Sequence, residues 1–145
     1  MYRHFETREA LEEAAWRKVL ARFANDRHPA TLDEYCAHVR EAFTRFGEDP
    51  ELVRAILHSR QVLSLRRTSD AARRDALLAV VAAERPGARP RERRSLAATL
   101  RVLYSAPTWE LLVDGGEDAK GAADIVERAA RQLLRPSRPA PRRKT

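Results

Sequence analysis

Thr31-Leu32-Asp33-Glu34-Tyr35-Cys36-Ala37-His38-Val39-Arg40-Glu41-Ala42-Phe43-Thr44-Arg45-Phe46-Gly47 decides the fold class of this 145-residue chain. The stretch opens with a capping box. The Thr31 hydroxyl is placed to accept from the amide of Glu34, while the Glu34 carboxylate reaches back toward amides that lack a partner before the first turn. Leu32, Tyr35, Cys36, Val39, Ala42, Phe43 and Phe46 then recur at steps of three and four, which puts them along one side of an α-helix. Gly47 is suited to a left-handed cap and is read as the stop. An apolar stripe of this width has to be buried against other helices.

The same period continues on both sides. Upstream, Leu11, Ala15, Trp16, Val19, Leu20 and Phe23 mark an amphipathic helix from Arg8 to about residue 24, with Thr7 as its N-cap and Glu9 in its first turn. Asn25 to Pro29 breaks it. Downstream, Asp49-Pro50 reads as cap and first helical residue before Leu52, Val53, Ile56 and Leu57. Residues 60–67 are basic and irregular, as expected of a weak helix end or turn. A new start at Ser69-Asp70 leads through Leu77, Leu78, Val80 and Val81, and Arg85-Pro86-Gly87-Ala88-Arg89-Pro90 is the strongest breaker of the body. From Arg91 to Ser105, Leu96, Leu100, Leu103 and Tyr104 keep helical spacing. Ala106-Pro107-Thr108-Trp109 is read as a kink or short break before Glu110-Leu111-Leu112-Val113, and Gly115-Gly116 ends that segment. A last helix runs from about Asp118 to Leu134. About seven helices and no strand pattern make the chain all-α.

Composition sets limits on function. No apolar run is long enough to span a bilayer and the N-terminus does not read as a leader, so a cytoplasmic protein without membrane contact is expected. Cys36 is the single cysteine, which excludes an internal disulfide or a cysteine cluster for zinc, and its core-facing spacing predicts inert burial. The formal net charge is +7. Residues 135–145 hold Arg135, Arg138, Arg142, Arg143 and Lys144 and no acid, so the remainder is nearly neutral. That Arg/Pro-rich end is expected to be a disordered tail, used for non-specific phosphate attraction or, the preferred reading for want of an aromatic to stack on bases, for solubility.

The first eleven residues carry a resemblance. Tyr2-Arg3-His4-Phe5, followed by Glu6-Thr7-Arg8-Glu9-Ala10-Leu11, resembles the exit of the helix-turn-helix in TetR-type transcriptional regulators. Two later stretches are similar to helices of that family: Glu48-Asp49-Pro50-Glu51-Leu52-Val53, and Leu103-Tyr104-Ser105-Ala106-Pro107-Thr108-Trp109 with the final Ala122-to-Leu134 helix. The resemblance implies an incomplete reader at residues 1–7, a helical effector-binding and dimerisation domain at 8–134, and the tail at 135–145. Tyr2, His4 and Arg8 would be remnants of phosphate contacts, which position without specifying. The base-reading residues are not in this sequence, so operator DNA would be bound only by an intact form carrying the whole helix-turn-helix. Repression is the usual mode implied.

Pairing into a homodimer is expected through the last two helices, with Leu96, Leu100, Leu103, Ala122, Ile125, Val126, Ala129, Ala130 and Leu133 as interface candidates. The apolar face of the final helix is wider than one seam within a protomer requires. The resemblance further implies a site for a small hydrophobic effector. Tyr35, Phe43, Tyr104 and Trp109 would be its aromatic walls, with His38, His58 or Thr99 as a polar handle. No cofactor, metal or catalysis is expected: His4, His28, His38 and His58 lack ligand spacing, and no phosphate loop or nucleophile elbow is present. The alternative to a regulator is a stand-alone helical dimerisation or interaction module without DNA binding.

Overall fold

The structure, a computed structural model, describes residues 7–23, 27–59, 62 and 70–136. Among these there are seven α-helices and no strand: α1 (Arg8–Ala21), α2 (Leu32–Glu48), α3 (Pro50–Leu57), α4 (Asp70–Glu84), α5 (Pro90–Leu103), α6 (Ala106–Asp114) and α7 (Ala119–Leu133). The protein is therefore all-α. Except for Val62, the segment expected to be irregular lies outside the described residues, as do residues 137–145 of the tail.

Local chemistry sets the helix starts. Thr7, Thr31, Asp49, Ser105 and Asp118 each accept a hydrogen bond from a first-turn amide through their side chains, which satisfies donors the helix itself cannot. In the α2 box, Glu34 Oε2 accepts from the Ala30 amide at 2.7 Å. Pro107 does not kink a longer helix. It occupies the first turn of α6 behind the Ser105 cap, where a missing amide proton costs nothing. Gly116, at φ 103°, turns the chain between α6 and α7.

α2 packs most extensively on α7, and α4 on α5. Ion pairs fix α2 and α7 antiparallel: Asp33 meets Arg131 at 2.8 Å, and Arg40 meets Glu127, which also holds Arg131 at 3.0 Å. At the far end of α2, Gly47 lies inside the helix rather than capping it. A Cβ built there would stand 3.1 Å from Ala119 Cβ, so this glycine serves the close approach of α7 and needs no left-handed backbone. In the α4–α5 hairpin, Arg101 reaches Asp70 at 2.8 Å across the open end and Arg85 reaches Glu92 at 2.7 Å at the turn. α6 packs on α2, α3 and α7, with Arg54 of α3 bonded to Asp114 at 2.9 Å. The core runs through all the helices from α2 to α7.

The first helix departs from expectation. α1 forms over Arg8–Ala21, but none of its residues is buried and Leu11 is 49% exposed. Ala10, Glu12, Ala14, Trp16, Val19 and Leu20 are half-buried, and just past the helix end Phe23 packs against the ring of Phe46 at 5.8 Å.

Gly47→Leu is expected to force α2 and α7 apart and destabilise the fold by about 1–3 kcal/mol, the usual range for overpacking a close contact. Thermal and chemical denaturation check this. A variant as stable as the wild type would show that the approach at Ala119 is not tight.

Candidate effector and pairing site

The residues expected to wall an effector site separate into an interior set and a surface set. Tyr35, Phe43 and Trp109 are fully buried and Tyr104 is half-buried. Tyr35 and Tyr104 meet edge to face, with ring centroids 5.8 Å apart. Phe46 joins the others. Its ring lies 6.1 Å from Phe43, 5.7 Å from Trp109 and 5.8 Å from Phe23. In the sequence Phe46 was only one more position on the α2 stripe, and nothing in the spacing marked it as the point where three aromatics converge.

The polar handles behave differently from one another. His38 is buried, and its Nδ1 has no hydrogen-bond partner among the described residues; the same holds for Nε1 of Trp109. Each such atom costs about 1–3 kcal/mol relative to a satisfied one. His58 lies on the surface with Nε2 3.3 Å from Glu110 Oε1. Thr99 is also exposed and donates to the Ser95 carbonyl one turn back at 3.0 Å. These two are not brought to the aromatic interior, because both sit on the outer faces of α5 and of the α3–α6 contact.

Burial governs the titratable groups inside. The Tyr35 hydroxyl donates to the Leu100 carbonyl at 2.7 Å, and desolvation, with smaller effects of Cys36 and Tyr104, pushes its pKa far above that of an ordinary phenol, making it a much weaker acid. The Cys36 thiol is likewise pushed up by burial, against the opposing pull of Arg131 and Arg40, so it stays a protonated, unreactive core residue.

The nine pairing candidates also divide. Leu100, Ala122, Val126 and Ala130 are completely buried within the protomer, so they are not available to a second chain. The correction has a simple cause: on α7 the apolar arc covers both the core side and its flank, and the sequence does not mark the boundary. Leu96, Leu103, Ile125, Ala129 and Leu133 remain half-buried. Ile125, Ala129 and Leu133 stand at four-residue steps and form one ridge along α7. Leu111, 74% exposed, and Val102, 64% exposed, were missed. Leu111 was hidden in a continuous Leu-Leu-Val run that does not show which member faces out.

Arg8, the described member of the expected DNA-contact remnants, is exposed at the start of α1 and pairs with Glu12 at 3.0 Å. Tyr2 and His4 lie outside the described residues. No group of acidic, histidine or cysteine side chains able to hold a metal occurs among the described residues, and no described helix is long and apolar enough to cross a membrane. Compared with family models, curated proteins and solved structures, the chain matches none.

Tyr35→Phe is expected to cost about 1 kcal/mol, the net worth of one buried hydrogen bond. The loss stays small because the Leu100 carbonyl keeps the Tyr104 amide as a second donor at 2.9 Å. The phenol ionises later in the folded than in the unfolded chain, so the wild type keeps its full stability below about pH 10 and loses some as pH rises further. The variant should lack that additional alkaline loss. Denaturation titrations at about pH 8 and about pH 11 test both points, and an identical pH dependence would contradict the assignment.

Proposed function

We propose that this chain is the ligand-responsive, self-pairing body of a TetR-type transcriptional regulator, acting as a homodimer in which α1 relays the state of the aromatic interior to an operator-reading module. The observation that carries the proposal is the packing of Phe23 on Phe46, with Phe46 in turn against Phe43 and Trp109. A small hydrophobic effector that displaced these rings would shift the anchor of α1. The population of reading-competent dimers would change with it. The partnerless Trp109 Nε1 and His38 Nδ1 supply polar atoms that such a compound could satisfy. For pairing, the half-buried ridge of Ile125, Ala129 and Leu133 and the exposed Leu111 provide apolar surface beyond what the core uses.

The proposal assigns the chain binding and switching rather than catalysis, with repression as the mode of control. On this reading the chain acts as a sensing body, whose helices do not read bases. It should therefore show no operator preference by itself.

Sedimentation velocity at micromolar protein should give a dimer, and Leu111→Arg with Ile125→Arg should give a folded monomer with unchanged helix content. Mobility shifts over a randomised duplex pool should enrich no sequence. A wild-type monomer, or sequence-selective binding by the chain alone, would overturn the reading.

A further inference from the structure

We draw no further inference here: the strongest candidate, the cluster of Phe46 and Trp109 between α2 and α6 with its buried, partnerless indole Nε1, belongs to the site already described.

Discussion

The close antiparallel contact of α2 with α7 is the constraint on which the remaining helices depend. Small residues make it possible: Gly47 against Ala119 at one end, and the buried alanines 122, 123 and 130 along the seam. Such side chains let helix axes approach while giving up little conformational entropy. At the other end the pair is closed by Asp33, Arg131, Glu127 and Arg40. These ions are partly exposed, so they set register and direction more than they add stability. With that pair in place, the α2 stripe presents Tyr35, Phe43 and Phe46 to the helices that complete the core, and the α5 carbonyl of Leu100 receives the Tyr35 hydroxyl.

From this spine the functional proposal follows as mechanics. α1 has no buried residue of its own and meets the core through Phe23, next to an Arg22–Asp49 contact of 3.8 Å. A helix with no fully buried residue is redirected by a displacement of its anchor more readily than a helix buried along its length. Phe46 is the residue that both the anchor and the interior share. In the proposal, the half-buried ridge of Ile125, Ala129 and Leu133 on α7 is the surface offered to a second copy.

Much of the architecture was legible in the sequence because it rests on local rules. The Thr7, Thr31 and Asp49 caps and the three-four spacing in α2 are written in neighbouring residues. Three features were not legible. Gly47 looks like a helix stop, and only the proximity of Ala119 shows that it is a contact glycine. α1 has the apolar spacing of a core helix, yet burial depends on what lies opposite, which periodicity does not encode. On α7, Ala122 and Ala129 look alike, but the helix is rotated so that the first is buried and the second is half-exposed. The burial of the aromatics was legible and that of the polar residues expected beside them was not, since His38 is buried while His58 and Thr99 are exposed. The contact of Arg85 with the Arg135 carbonyl joins residues 50 positions apart and is likewise a tertiary feature.

Native-state hydrogen exchange, resolved by residue, tests the central claim most directly: a rigid α2–α7 spine carrying an α1 that is tethered through Phe23. The account predicts that the amides of α2 and α7 exchange only through global unfolding, while those of α1 exchange faster by orders of magnitude and slow progressively toward Phe23. Protection of α1 equal to that of α2 in the isolated chain would contradict it.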